Sequence, residues 1–221
     1  PDYVKKIDFH GIILGPTFLC NRYHPPTLAK TLEEYCFIKS SNAFKIAMPQ
    51  DDYDCSGILE RWMIDWKIDF LYTVCADHWE ILYPILSLEG KIKQGYTSYI
   101  SEKMIDRCRS PKEFSSRSID VSYRSKLSYL GRMRYLKGTI GELFKKATLN
   151  QGLILDVSTH PKDTIFGGKW LEFVEDSKFV LGSNSGSSLL DPEGEIRFNV
   201  NKYLAFHPRA SFEEVREACF Q

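Results

Sequence analysis

Seven short runs rich in apolar and β-branched residues recur along the chain and predict β-strands. They cover residues 7–14, 44–48, 69–75, 91–96, 118–124, 152–158 and 178–183. Between most of these runs, apolar residues return at the spacing of one helical face. Two such faces are Ile58, Leu59, Trp62, Met63 and Trp66, and Leu136, Ile140, Leu143, Phe144 and Ala147; residues 28–38 and 169–176 are shorter candidates. Strands that alternate with helices predict an α/β fold with parallel sheets.

One segment interrupts this alternation and suggests two domains. Residues 101–118 are polar and contain Pro111. We therefore predict a Rossmann-like domain over 1–108, a linker over 109–117 and a second Rossmann-like domain over 118–221. Two such domains facing each other would leave a cleft at the carboxyl ends of their strands, where open α/β sheets bind ligands. The chain opens on Pro1 and stops shortly after a capping-box pattern at 211–214, so we expect a fragment whose second domain is incomplete.

Composition and charge restrict the class of partner. The chain is 43% hydrophobic and 26% charged, as in soluble globular proteins. Its 29 basic and 29 acidic residues balance, so no global field would attract nucleic acid and any anion site must be local. The six cysteines are scattered without a CxxC pair, which favours free thiols in a reducing cytoplasm over a zinc site or disulfide framework. No apolar run reaches the roughly 18 residues of a membrane span.

A loop of small residues follows the seventh predicted strand. It contains Gly182, Ser183, Asn184, Ser185, Gly186 and Ser187. Successive backbone N–H groups in such a loop can enclose a phosphate at little steric cost. The loop has neither the GxxxxGK[ST] nor the GxGxxG spacing, and a plain flexible turn is the alternative interpretation.

Basic residues follow the neighbouring strands. Arg124 and Lys126 come at the end of the fifth predicted strand, where they could pair with a diphosphate. His160 follows the sixth strand and could contact a nucleotide. A solvated helix face is the favoured interpretation for Arg134 and extends to Arg132, and it stays open as the alternative for Arg124. For His160 the alternative is an ordinary loop position.

The first half contains the candidates for acid–base chemistry. Asp51 and Asp52 follow the second predicted strand and could act as a general base or bind hydroxyl groups. His10 lies in the first predicted strand, near its carboxyl end, where a packed histidine is the alternative. Asp54 or Ser56 is predicted to cap the following helix. The Asp52–Asp54 pair forms only a weak DxD pattern, and we expect no bound metal.

Several motifs together resemble a known enzyme family. A Tyr-Arg pair ends the fifth strand, the sixth ends in LDVST followed by Asp163, Gly167 and Trp170, and the VLGSNSGSS loop precedes an acidic turn with Asp191, Glu193, Gly194 and Ile196. This run resembles bacterial glycosyltransferases of the GT-B type, and more narrowly a group-1-like branch associated with surface polysaccharide clusters. Phe9-His10 and the QDDY sequence at 50–53 extend the resemblance to the first half. Asn184 departs from it, because relatives often have Glu there.

The resemblance implies a function for each half of the chain. The second domain would hold a nucleotide-diphosphate sugar as co-substrate, and the first a glycan or lipid-linked acceptor. Arg124 and the loop amides would stabilise the departing diphosphate without a metal or other cofactor. Asp51, Asp52 and His10 would supply a base if the reaction inverts. The resemblance implies a cytoplasmic location, with peripheral contact to the inner membrane where the acceptor is lipid-linked.

Two other functions remain open from the sequence. Asn184 motivates a non-catalytic GT-B-like module that recognises glycan or assists a partner transferase. A different enzyme on the same fold is the second alternative, such as a nucleotide-sugar epimerase or a polyol-phosphate transferase.

Overall fold

The computed structural model describes residues 3–96, 100–184 and 186–220. The predicted α/β class with parallel sheets is confirmed. The strands are β1 (Gly11–Leu14), β2 (Phe44–Ala47), β3 (Phe70–Thr73), β4 (Ile92–Gln94), β5 (Ile119–Arg124), β6 (Leu155–Ser158) and β7 (Ser177–Val180). The helices are α1 (Pro16–Leu19), α2 (Pro25–Glu34), α3 (Phe37–Ser40), α4 (Ser56–Asp65), α5 (Trp79–Leu82), α6 (Pro84–Leu88), α7 (Glu102–Cys108), α8 (Arg132–Ala147), α9 (Gly168–Glu175), α10 (Glu195–Phe206) and α11 (Phe212–Cys219).

The chain divides into two compact units. The first comprises residues 1–99 together with 189–199, and the second comprises 100–188 together with 200–221. The polar segment around Pro111 groups with the second unit, and α7 occupies part of it. Among the described residues, no helix is long and apolar enough to cross a membrane.

The first unit contains a four-stranded parallel sheet in the order β1-β2-β3-β4. Its core lies between this sheet and α4, where Leu59, Met63 and Trp66 are buried with Leu71 of β3. This burial confirms the predicted apolar face of α4. The strand side chains alternate between the core and the opposite face of the sheet, where Ile13 is 66% exposed.

The second unit contains a three-stranded parallel sheet in the order β6-β5-β7. Helix α8 packs on the face that presents Tyr123 and Val157. The contact is so close that a Cβ added at Gly141 of this helix would lie 2.8 Å from Val157 Cγ1. Helix α9 packs on the other face, where the Phe173 ring lies 4.6 Å from the Arg124 guanidinium carbon. The sheet is therefore covered on both faces by the helices that connect its strands.

Candidate functional site: an anion crevice and an acidic loop

The central strand of the second sheet ends at a point where the chain reverses its direction of winding. The connection from β5 to β6 runs to one side of β5, and the connection from β6 to β7 returns to its other side. Such a switch point leaves a crevice at the carboxyl ends of the two strands that flank it, here β5 and β7. The small-residue loop begins there, with the Leu181 N–H donating to the Ser122 carbonyl at 2.9 Å.

The start of α8 lies beside this loop. The Met133 N–H donates to Ser188 Oγ at 3.3 Å, and the hydroxyls of Tyr123 and Ser183 lie 3.4 Å apart. Gly131 precedes the helix with a φ of +92°, and the first turn contains no acidic residue. The positive end of the helix dipole therefore meets the loop without a carboxylate to neutralise it.

The loop itself presents unoccupied donors. Gly182, Ser183 and Asn184 are exposed, and their backbone N–H groups have no acceptor within the described part of the chain. Gly186 has a φ of +102°, a conformation that side chains disfavour. Ser187 is half-buried, and Ser185 lies outside the described residues. Exposed N–H groups beside a helix N-terminus can bind an anion.

A separate cavity collects the other residues predicted to bind the donor. Arg124, Lys126 and His160 line a cavity of about 280 Å³ together with Asp163 and Trp170. Ser125 also lines it, and its buried hydroxyl has no hydrogen-bond partner in the part of the chain that the structure describes. None of the described residues of the small-residue loop lines this cavity. The structure thus brings three predicted residues together, but at a different place from the loop.

The environment of Arg124 changes its predicted role. Its guanidinium donates to the carbonyl oxygens of Tyr123, Asp156 and Asp163 at 2.9 to 3.1 Å, and to the Asp156 carboxylate at 2.7 Å. Four of its five N–H donors are therefore engaged within the protein. Binding a diphosphate would require breaking these contacts, so Arg124 is better described as joining β5, β6 and the segment after β6.

The acidic loop after β2 separates the two aspartates proposed for catalysis. Asp51 is exposed and has a φ of 55°, whereas Asp52 is fully buried. Thr73 Oγ1 and Tyr83 Oη donate to the Asp52 carboxylate at 2.6 and 2.8 Å. Burial raises the pKa of Asp52 despite these bonds. The prediction that Asp52 contacts substrate is corrected, because its carboxylate is bound in the interior by Thr73 and Tyr83. Asp51 is the accessible group.

A buried arginine, which the sequence did not predict, holds this loop by binding its backbone carbonyl groups. Arg22 is 1% exposed. Its guanidinium donates to the carbonyl oxygens of Gln50, Asp51 and Asp54 at 2.7, 3.0 and 3.2 Å. It also donates to Leu19 O at 3.1 Å and contacts the Tyr23 hydroxyl. The Tyr23 hydroxyl also donates to the Asp51 carbonyl, at 3.2 Å, so the backbone that carries Asp51 is fixed by two neighbouring side chains.

Asp54 does not cap α4, contrary to the sequence prediction. Its carboxylate accepts from Arg197, with Nε at 3.1 Å, and from Tyr23 Oη at 3.0 Å. The start of α4 is instead satisfied by the acidic turn that follows the small-residue loop. The Gly57 N–H donates to the Pro192 carbonyl at 3.0 Å, so backbone replaces the expected side-chain cap.

The acidic turn belongs to the first unit. Asp54 and Asp191 form an isolated parallel bridge, and Glu193 accepts from Arg61 at 2.8 and 3.0 Å. Gly194 is required there, because a Cβ would lie 2.7 Å from Cys55 Sγ and its φ is +75°. The turn therefore anchors residues 189–199 to the acidic loop.

His10 lies at the amino ends of the strands of the first sheet, at the opposite end from the acidic loop. Strand β1 begins only at Gly11, and the Phe44 N–H donates to the His10 carbonyl at the amino end of β2. The predicted position at the carboxyl end of β1 is therefore wrong. Because β1 and β2 are parallel, His10 lies at the amino ends of these strands and the loop after β2 lies at their carboxyl ends.

The described residues contain no group of three His, Cys, Asp or Glu side chains that could hold a metal ion. No family model matches the chain, and neither a curated protein nor a solved structure matches it.

Proposed function

We propose that the chain is part of a GT-B-like glycosyltransferase that transfers a sugar from a nucleotide diphosphate to a glycan or lipid-linked acceptor. The observation that supports this proposal is the crevice at the switch point of the second sheet. There, the exposed N–H groups of Gly182, Ser183 and Asn184 lie beside the N-terminus of α8.

The chemistry of the leaving group explains why such a crevice suits the reaction. When the bond between the sugar and the nucleotide breaks, negative charge grows on the departing diphosphate. Fixed N–H dipoles stabilise that charge most where it develops, and they need no reorganisation during the reaction. The N-terminus of α8 adds the field of its aligned peptides, and Arg132 at its first position adds a formal positive charge.

Asp51 is the candidate base for activating an acceptor hydroxyl. Its carboxylate is exposed, and its backbone carbonyl is held by Arg22 at 3.0 Å. A base must reach the proton that it removes, and it must be accessible to substrate. Of the three residues predicted for catalysis, Asp51 alone combines exposure with a position after a strand's carboxyl end.

Nucleotide titration with two matched variants tests the donor site. We expect UDP or GDP to bind the wild-type protein, measured by isothermal titration calorimetry. Arg132→Gln should weaken that binding by roughly three- to tenfold, as expected for loss of one interaction worth about 1 kcal/mol at an exposed position. Lys146→Gln, at the opposite end of the same helix, is the control and should bind as the wild type does. Absence of binding, or equal affinities for all three proteins, would contradict the proposed donor site.

A non-catalytic recognition module is the second candidate, and one observation favours it. Asp52 is buried and His10 lies at the opposite end of the strands, so the first unit retains a single predicted base. A transfer assay with Asp51→Asn separates the two functions. An enzyme that uses Asp51 should lose activity by at least about a hundredfold, whereas a recognition module should bind nucleotide or glycan without turnover.

A further inference from the structure

The cavity at the carboxyl ends of β5 and β6 has no role in the reaction described above. It has a volume of about 280 Å³, and none of the described residues of the small-residue loop lines it. Ser125 and Lys126 reach it from the end of β5, and His160 and Asp163 reach it from the segment after β6. Trp170, in the first turn of α9, lines another side. We call it the β6 cavity.

The charged groups of the β6 cavity balance one another. One oxygen of the Asp163 carboxylate accepts from Ser158 Oγ at 2.6 Å, and its other oxygen has no partner in the part of the chain that the structure describes. The Lys126 ammonium is exposed and likewise makes no hydrogen bond or ion pair with a described residue. Arg124 adds no net charge, because the Asp156 carboxylate pairs with its guanidinium at 2.7 Å. A phosphate would therefore meet the Asp163 carboxylate without a net positive charge to offset the repulsion, so the lining suits a neutral ligand.

Internal hydrogen bonds hold the polar groups of the cavity in place. The Arg124 guanidinium donates to the Asp163 carbonyl at 3.1 Å, and the His160 N–H donates to Ser158 Oγ at 3.0 Å. The Lys162 N–H donates to His160 Nδ1 at 3.1 Å. Because Nδ1 of this ring accepts, Nε2 carries the hydrogen and can donate to a ligand. The cavity therefore presents a positioned imidazole donor beside a free ammonium and a free carboxylate oxygen.

An aromatic side chain provides the apolar part of the cavity. The Trp170 ring packs against Phe173, with ring centroids 5.6 Å apart, and is still 39% exposed. Ile165 lines the same cavity. An accessible indole offers a flat apolar surface of fixed orientation, which complements the C–H face of a ring whose edge carries polar groups.

We propose that the β6 cavity binds a neutral sugar ring of a glycan, with Trp170 against its C–H face and with Lys126 and Asp163 on neighbouring hydroxyl groups. A hydroxyl group both donates and accepts, so two adjacent hydroxyls satisfy an ammonium, which only donates, and a carboxylate, which only accepts. A nucleobase fits less well, because the donors and acceptors on its edge are fixed and cannot rotate to suit both ions. The site goes beyond the proposed function and does not rest on it, since it uses neither Asp51 nor the loop amides. It would serve a transferase and a recognition module alike.

Fluorine NMR can observe this cavity directly. The chain has four tryptophans, and Trp170 alone lies in the second unit. Labelling with 5-fluorotryptophan gives one resonance for each, and Trp170→Phe assigns the resonance of Trp170. The labelled protein is titrated with the methyl pyranosides of glucose, galactose, mannose and N-acetylglucosamine. We expect at least one of them to shift the Trp170 resonance with a Kd of about 1–10 mM and to leave the other three resonances unchanged.

Matched variants test the individual contacts. Lys126→Gln and Asp163→Asn should each weaken the sugar by about three- to tenfold, as expected for loss of one charged hydrogen-bond partner. Lys162→Gln is the control, because Lys162 is exposed and close in the chain but does not line the cavity. Trp170→Leu should weaken the sugar by about tenfold or more in saturation-transfer NMR of the ligand. Phe166→Leu, which removes an exposed ring that does not line the cavity, should bind as the wild type does.

Contrary results overturn the proposal in defined ways. If none of the pyranosides shifts the Trp170 resonance, or if glycerol shifts it equally well, the cavity does not recognise a sugar ring. Tighter binding of uridine or guanosine than of every pyranoside would assign the cavity to a nucleobase instead. Unchanged affinity in both Lys126→Gln and Asp163→Asn would reject the hydroxyl contacts. A parallel titration with UDP and GDP keeps the proposed function separate, because pyranoside binding without nucleotide binding rejects the donor site and leaves the β6 cavity.

Discussion

Replacing Arg22 should destabilise the first unit more than any single surface change. Its guanidinium is buried and donates to the carbonyl oxygens of Leu19, Gln50, Asp51 and Asp54. Arg22→Met keeps the side chain long and removes every one of these donors. The carbonyl groups then face an apolar thioether in place of a cation.

The magnitude follows from the groups left behind. A buried acceptor that loses its partner costs about 1–3 kcal/mol, but water can reach part of this loop because Asp51 is exposed. Each hydrogen bond from the charged guanidinium contributes about 1.5–3 kcal/mol, and Arg22 makes four such bonds to carbonyl oxygens. We therefore expect Arg22→Met to lower the free energy of unfolding by about 3 kcal/mol or more, out of the roughly 5–15 kcal/mol of a typical domain. Arg22→Lys keeps the charge but loses the planar guanidinium, so its free energy of unfolding should lie between those of the wild type and Arg22→Met.

Tryptophan fluorescence can report on the first unit alone. Trp62, Trp66 and Trp79 lie in the first unit, and Trp170 lies in the second. Urea unfolding in a Trp170→Phe background therefore measures the first unit. Lys39→Met is the matched control, since Lys39 pairs with Asp65 at an exposed position and such pairs contribute about 1 kcal/mol or less. A loss below about 1 kcal/mol for Arg22→Met, equal to that of Lys39→Met, would refute the reasoning.

Two further predictions concern the core of each unit. Burial raises the pKa of Asp52, so the folded protein keeps a proton on this carboxyl group at pH values where the unfolded chain has lost it. The contribution of Asp52 to stability is therefore fully present below its unfolded pKa, and it is lost as the pH rises through the folded pKa. Relative to the wild type, Asp52→Asn should gain stability in urea titrations as the pH rises above about 4, the unfolded pKa of an aspartate, and a pH-independent difference would contradict this assignment. In the second unit, Gly138→Ala should cost about 1–3 kcal/mol because its Cβ would lie 2.6 Å from the Leu127 Cα atom. Gly168→Ala, with no atom within 4 Å, should be neutral or stabilising by thermal unfolding; equal melting temperatures for the two alanine variants would contradict the close approach of α8.

The sequence predicted the strands because their signal is local. Each apolar run contains its own periodicity, and each of the seven runs overlaps a strand of the structure. The first strand was predicted too long for a physical reason. The pattern of alternation continues back through Phe9, but the partner strand β2 begins at Phe44, which is opposite Gly11. Residues before Gly11 have no strand beside them, and this displaced His10 from its predicted position.

The acidic loop could not be resolved from sequence because its neighbours are distant in the chain. Asp51 and Asp52 follow the same strand and look equivalent. Thr73 and Tyr83, which bury and bind Asp52, lie 21 and 31 residues away. Arg197, which binds Asp54, lies 143 residues away. No short motif connects these positions, so only the folded chain distinguishes the accessible aspartate from the buried ones.

The basic residues of α8 provide an independent argument for an anion at its N-terminus. Lys145 and Lys146 in the last turn are favourable for the helix itself, because they face the negative end of its dipole. Arg132, at the first position of the helix, is repelled by the positive end of the dipole, and this repulsion lowers the stability of the helix by about 0.3–1 kcal/mol. Helix stability therefore accounts for the lysines at one end but not for the arginine at the other. A bound anion reverses the sign of that interaction, because a phosphate beside Arg132 is attracted both by the guanidinium and by the helix. In a chain whose 29 basic and 29 acidic residues cancel, this local excess of positive charge beside exposed N–H groups supports the proposed donor site.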